Sequence, residues 1–176
     1  MTDSELARAI REHAYLEGDF VLRSGRRSRY YLDKYRFETQ PEILGELGER
    51  IAARVSEEGG RPDRLAGPEL GAVALAAAAS LASGLPFVIV RKEAKDYGTA
   101  QRLEGVHERG ETVCLVEDVV TTGGASLDAA EALRSAGLRC DRAICVVDRE
   151  EGGAQALAES GVELVPLFRA GQLADA

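Results

Sequence analysis

No apolar run in this 176-residue chain approaches the roughly 20 residues that a helix needs to cross a bilayer. The expected partners therefore do not include a membrane. Cysteine is scarce and odd in number. Cys114, Cys140 and Cys145 sit in apolar, strand-like stretches, so they read as reduced core thiols, not as a disulfide framework or a metal site. Net positive charge is missing too, and a formal charge of −8 disfavours a general nucleic-acid binder. The acidic opening Met1-Thr2-Asp3-Ser4-Glu5 lacks the character of a secretory or organelle leader; the expectation is a cytoplasmic protein. Internal repeats, low-complexity tracts and a convincing linker are all lacking. With 45% hydrophobic residues, the chain suits one compact domain spanning 1–176.

What is present alternates. Thr2 and Glu5 fit a capping box opening a helix that carries Leu6, Ile10, Ala14 and Leu16. Asp19–Leu22 and Arg29–Asp33 read as two short strands around Ser24-Gly25. Pro41 suits the first turn of a helix with Ile43, Leu44, Leu47, Ile51 and Val55 on one face. From there strand and helix candidates follow in turn. Strands are expected at Leu65-Ala66, Phe87–Val90, Val113–Val116, Ala143–Val147 and Val162–Leu167. Helices are expected at Ala72–Leu81, Ala125–Ala136 and Ala154–Glu159. The implied fold class is α/β, with a mostly parallel sheet covered by helices on both faces and ligands at the carboxyl ends of its strands. Residues 92–111, charged and glycine-punctuated, read as a long loop and a candidate lid.

The densest chemistry lies in Val113-Cys114-Leu115-Val116-Glu117-Asp118-Val119-Val120-Thr121-Thr122-Gly123-Gly124-Ala125-Ser126. A buried strand running into a glycine-rich helix start leaves backbone N–H groups that favour an anion. Thr121, Thr122 and Ser126 can add hydroxyl donors. Glu117 and Asp118 would repel a bare phosphate, so ribose hydroxyls or a divalent ion near a sugar phosphate are their natural partners. No lysine follows the second glycine, so this is not a Walker loop. Basic residues gather in two places inside the acidic chain, Arg23–Arg36 (with Lys34) and Arg91, Lys92 and Lys95. Such local positive charge suits a confined anion site.

This motif resembles the sugar-phosphate-binding motif of the type I phosphoribosyltransferases. The resemblance implies that Glu117 and Asp118 hold the 2- and 3-hydroxyls of phosphoribosyl pyrophosphate, with Val119 to Ala125, Thr121, Thr122, Gly123 and Gly124 included, forming the rest of its cradle. Arg91-Lys92-Glu93-Ala94-Lys95-Asp96-Tyr97-Gly98-Thr99, with Gln101 to Gly105, resembles the catalytic loop of the orotate branch of that family. There Lys95 would be the main catalytic cation, delivered to the neighbouring subunit of a homodimer, with Arg91, Lys92 and Tyr97 also on the ligand. Tyr97 stands where the family usually has His.

Gly18 to Asp33 resembles that branch's hood, with Arg23 in place of a ligand-touching Lys and Tyr31 near the base. Ala66 to Gly71 resembles its pyrophosphate loop. Arg149, in Asp148-Arg149-Glu150-Glu151-Gly152, matches an Arg that grips orotate, as Thr121 matches a second orotate contact. The implied fold is a hood of about residues 1–40 on a core of about 41–176. The implied reaction joins orotate to phosphoribosyl pyrophosphate, with Mg²⁺ held mainly through the substrate. A transferase for another base, or a non-catalytic regulator that binds the sugar donor, remain alternatives.

Overall fold

The computed structural model describes residues 1–21, 25, 27–57, 60–94 and 102–174. The hood opens with α1 (Asp3–Ala14), β1 (Tyr15–Val21), β2 (Arg27–Leu32) and α2 (Lys34–Glu38). The capping box forms as expected: Glu5 N–H donates to Thr2 Oγ1 at 3.2 Å, and Thr2 N–H donates to Glu5 Oε2 at 2.7 Å. The helix stops at Ala14 and passes straight into strand, so Leu16 belongs to β1, not to the helix. β1 and β2 pair antiparallel, with a register shift between Glu17 and Phe20.

The core follows as α3 (Pro41–Ser56), β3 (Arg64–Pro68), α4 (Gly71–Ser83), β4 (Phe87–Val90), β5 (Leu103–Glu104) and β6 (Thr112–Val120). It ends with α5 (Gly124–Ser135), β7 (Arg139–Asp148), α6 (Gly153–Glu159), β8 (Glu163–Arg169) and α7 (Ala170–Ala174). Its sheet runs β5-β4-β3-β6-β7-β8, all parallel except β5. Helices pack on both faces. Ile43, Leu47 and Ile51 of α3 and Leu75 and Ala79 of α4 meet Cys114, Val116, Ile144 and Val146. On the other face Ala129, Leu133 and Leu157 meet Leu115, Ala143 and Cys145. The three cysteines are buried and free, and burial pushes the Cys114 thiol up to about 12 and Cys140 to about 11.

Three expectations need correction. β6 does not end at Val116; it carries Glu117 and Asp118 inside the strand and stops at Val120. Residues 92–111 are not one open loop. Within them β5 adds to the edge of the sheet, and Arg64 pins Glu111 through two bonds of 2.7 and 2.6 Å and the Val106 carbonyl at 2.5 Å. Finally, α2 has no counterpart in the pattern reading, being too short to show helical periodicity.

β3 has β4 on one side and β6 on the other, so the chain reverses its direction of winding between β3 and β6. In an open parallel sheet such a reversal leaves a crevice at the carboxyl ends of the two strands. Pro68 and Val120 mark those ends.

Candidate active site

Strand geometry sends neighbouring side chains to opposite faces. Because β6 continues through the two acids, Glu117 follows Leu115 to the α5 side, and Asp118 follows Val116 to the α4 side. Both are buried, at 6% and 3% exposure. Glu117 Oε1 accepts a 2.8 Å hydrogen bond from Ser126 Oγ on the first turn of α5. Burial, opposed by that bond but assisted by the charge of Asp118, pushes Glu117 up to about 7. Ser126, expected to be a phosphate donor, is thus buried and turned to Glu117, while Thr121 and Thr122 stay exposed at the turn.

Asp118 sits in a different environment. Lys34 Nζ from α2 lies 2.6 Å from its Oδ2, and the N–H of Val119 donates to its Oδ1 at 2.5 Å. Glu38, one turn along the same helix, is 3% exposed and buried beside it. Burial first, then the charge of Asp118, push Glu38 up to about 8 against the opposing pull of Lys34. Burial alone would lower Lys34, but its hydrogen bond to Asp118 and the surrounding negative charge outweigh burial and hold it above the ordinary lysine value. Gly71 opens α4 directly against this cluster. A Cβ there would overlap Asp118 Oδ2 and come within 3.0 Å of Glu38 Oε2.

The turn after β6 is equally close-packed. Gly123, at φ 85°, is the N-cap of α5 and no side chain caps it. The first N–H groups of a 12-residue helix therefore face the crevice beside Thr121 and Thr122. Gly124 has open space where a side chain would stand. The floor is the turn after β7, where a Cβ on Gly153 would meet Val120 Cγ1 at 2.5 Å and the Thr121 carbonyl at 2.6 Å. The N–H of Arg149 donates to the Val120 carbonyl at 2.9 Å, so the two strand ends are locked together.

Arg91 and Lys92 leave the end of β4 on the far side of β3. The N–H of Arg91 donates to the Arg102 carbonyl at 2.7 Å, and Arg102 Nε donates back to the Arg91 carbonyl at 3.0 Å. Arg102 then forks onto Asp128 of α5, with Nη1 at 3.1 Å and Nη2 at 2.5 Å from its two oxygens. The N–H of Lys92 donates to Glu69 Oε1 at 2.6 Å, which joins this strand end to the turn between β3 and α4, whose Glu69–Leu70 peptide is cis. Lys95, Tyr97 and Arg23 lie outside the described residues.

Arg149 lines a cavity of about 390 Å³ shared with Arg11, Tyr15, Tyr30, Leu32 and Leu173. Tyr30 stacks on Tyr15 at 5.3 Å between ring centroids. Tyr31 points to the other face of the hairpin, 44% exposed and tilted against Phe20 at 5.7 Å. The structure therefore puts Tyr30, not Tyr31, on the wall that Arg149 shares. Arg149 itself is half-buried, with Nη2 3.2 Å from Glu151.

The Arg23–Arg36 cluster splits: Arg27, Arg29 and Arg36 are exposed, whereas Lys34 reaches Asp118. Glu38 was missed in the sequence. Its one available signal was the four-residue spacing from Lys34 behind Asp33, whose side chain caps Tyr35 N–H at 3.2 Å.

The sequence pattern of the phosphoribosyl transferase domain family matches residues 37–160 of this chain. The chain is 49% identical over 172 residues to the orotate phosphoribosyltransferase of Methanocella arvoryzae, covering 97% of each. It is 51% identical over 159 residues to that of Halobacterium salinarum, covering 90% of this chain and 89% of the other. Among solved structures, the Mycobacterium tuberculosis orotate phosphoribosyltransferase in complex with 5-phospho-α-D-ribosyl 1-diphosphate superposes with a TM-score of 0.83 at 28% identity, covering 98% of both chains.

Proposed function

This chain belongs to the phosphoribosyl transferase domain family, among its orotate phosphoribosyltransferases, and on that premise we propose how its crevice carries out their reaction. The reaction transfers the ribose 5-phosphate group from phosphoribosyl pyrophosphate to orotate, giving orotidine 5′-monophosphate and pyrophosphate in pyrimidine synthesis. The observation that carries the assignment of residues is the rim of β6. Two buried carboxylates stand there on opposite faces, one turn away from an uncapped helix N-terminus, at the reversal point of the sheet.

In this reading Glu117 and Asp118 accept the 2- and 3-hydroxyls of the ribose. Thr121, Thr122, Gly123, Gly124 and Ala125 receive the 5-phosphate on the N–H groups of α5, with Val119 and Val120 as the apolar edge beneath the sugar. The loop before Gly71 faces the diphosphate. Arg91, Lys92 and Lys95 neutralise it as the bond to the anomeric carbon lengthens, and Tyr97 adds a hydroxyl. Positive charge then builds on the ribose ring, in the field of the two acids. Arg149 and Thr121 hold orotate so that its ring nitrogen, giving up its proton, forms the new bond on the face opposite the leaving diphosphate.

Mg²⁺ is the cofactor of this proposal. Among the described residues no three His, Cys, Asp or Glu side chains gather as a cage, and Asp118 is already engaged by Lys34. That donor chemistry fits an ion held through the oxygens of the substrate, beside Glu117 and Asp118, and not by a dedicated protein site. When bound, the ion supplies positive charge to the diphosphate.

The likeness further supports a homodimer in which the loop bearing Lys95 serves the neighbouring subunit, acting in the cytoplasm. No described helix is long and apolar enough to cross a membrane.

The test is the absorbance change of orotate with purified protein, phosphoribosyl pyrophosphate and Mg²⁺, repeated without each component and with adenine, guanine, xanthine or uracil in place of orotate. Turnover is expected with orotate alone among these bases and only in the full mixture. Equal turnover with a purine would contradict the assigned base.

A further inference from the structure

We infer that Lys34 and Glu38 of α2 are positioning residues for the sugar grip: they hold the carboxylate of Asp118 in the attitude that receives the ribose hydroxyls. The inference rests on the assignment of Asp118 to the sugar. Neither residue is placed to touch the base or the phosphate turn; both act through Asp118.

The geometry is specific. An ionised carboxylate offers about four lone-pair sites. Val119 N–H takes one on Oδ1 at 2.5 Å, and Lys34 takes one on Oδ2 at 2.6 Å. About two acceptor sites therefore remain, and the plane of the group is fixed from two directions. Free rotation of Asp118 would lose that preset attitude.

Charge balance explains why a lysine is needed. Glu38 and Asp118 form a buried pair of acids on the α4 face of the sheet, and the described ammonium beside them is that of Lys34. Like charges at such short range in a poorly solvated site drive one member to take up a proton. Burial, with the neighbouring charge of Asp118, pushes Glu38 up to about 8 against the pull of Lys34. Glu38 Oε1 is a buried oxygen with no hydrogen-bond partner among the described residues. A neutral Glu38 can donate to Asp118 as a third fixed contact, which leaves one acceptor site for a sugar hydroxyl.

Space is reserved for this arrangement. Any side chain at Gly71 would occupy the volume where the Asp118 and Glu38 carboxylates meet. The same α2 follows β2 directly, through Asp33, so the exit of the hood is tied by an ion pair to the sheet rim that carries the sugar.

Steady-state kinetics of the full-length chain test this with four variants. Lys34→Met is expected to raise the KM for phosphoribosyl pyrophosphate at least tenfold while the KM for orotate moves less than twofold. Lys34→Arg, which keeps the charge, is expected to recover most of the loss. Glu38→Gln, nearly isosteric, is expected to raise the same KM a few-fold. Because both act through one carboxylate, Lys34→Met in an Asp118→Asn background is expected to add little further loss.

Parallel rises in both KM values for Lys34→Met, or losses that multiply fully with Asp118→Asn, would overturn the inference. So would a normal KM for Lys34→Met beside an impaired Asp118→Asn. Should Asp118→Asn itself bind the sugar donor normally, the sugar assignment fails, and this inference fails with it. If Lys34→Met does not fold, Glu38→Gln and Lys34→Arg still decide: unchanged KM in the first and a KM for both substrates raised alike in the second would count against it.

Discussion

The sheet rim and the hood are built in opposite ways. β6 is buried on both faces over most of its length, and its carboxyl end is locked to β7 through Arg149 N–H and through the close approach of Gly153. The β1–β2 ribbon has two strands, exposes most of its residues, and slips register between Glu17 and Phe20. An isolated two-stranded hairpin is marginal in water; here Tyr15 stacks on Tyr30 and Phe20 packs tilted against Tyr31 across the two strands. In the proposed assignment the ligand's two halves fall to these two regions: sugar and phosphate to the close-packed rim, the base to the thin two-stranded wall. Charge follows the same division, with the buried acids at the rim and exposed arginines on the ribbon.

The largest effect belongs to neither region but to Lys95, the cation that the proposal assigns to the leaving diphosphate. Lys95→Ala is expected to cut turnover by about 10²- to 10³-fold, the scale of losing one charge-stabilising donor, while affinity for the sugar donor changes far less. Single-turnover rates beside equilibrium binding measure this, and equal losses in both would remove the role assigned to Lys95.

Next comes the rim. Asp118→Asn is expected to lower kcat/KM for phosphoribosyl pyrophosphate by about 30- to 100-fold, as for a buried charged hydrogen-bonding group. Steady-state kinetics that match the unaltered chain would break the comparison at its rigid side.

A rim of buried acids should also weaken the fold, and pH reveals it. Glu117 and Glu38 have folded pKa values raised to about 7 and about 8. Their favourable contribution is complete below the ordinary glutamate range and is lost as pH rises toward those values. Urea unfolding between pH 5 and pH 8 is expected to show stability falling with pH, by up to about 1.4 kcal/mol per unit for each group. Glu117→Gln should flatten the fall, and an unchanged slope would contradict the burial argument.

On the soft side, Tyr30→Ala is expected to raise the KM for orotate about three- to tenfold, consistent with about 1 kcal/mol for a stacked aromatic pair. The KM for the sugar donor should stay within twofold. Tyr31→Ala, on the other face of the ribbon, is expected to do less. The reverse ranking would show that the ribbon turns over when the base binds. Smallest is Tyr97→His, expected to leave turnover equal or a few-fold higher, since it adds a group that can carry charge over the diphosphate. A large loss would show that the phenol is specifically required.

Sequence made the rim legible because its parts are contiguous. A buried strand, two acids and a hydroxyl- and glycine-rich turn follow one another from Val113 to Ser126, and α3 and β4 were equally clear from Pro41 and from the apolar run at Phe87. What escaped was set by packing. Charged residues disfavour strand interiors, so β6 was cut short at Val116; the parallel sheet overrides that preference because Ser126 satisfies one acid and Lys34 the other. Lys34 and Asp118 are far apart in sequence, and no local period joins them. β5 is two residues long and is defined only by its pairing with β4, which no pattern within residues 103–104 can announce. Tyr30 and Tyr31 were separable only once the twist and pairing of the ribbon were known.

The most direct measurement is calorimetric titration of phosphoribosyl pyrophosphate, with Mg²⁺ present, into the native chain and into the Glu117→Gln/Asp118→Asn double variant. Saturable binding at one site per chain is expected, weakened by about 100-fold or more in the folded double variant. Equal affinity in the two would contradict the claim that the opposed carboxylates of β6 hold the sugar.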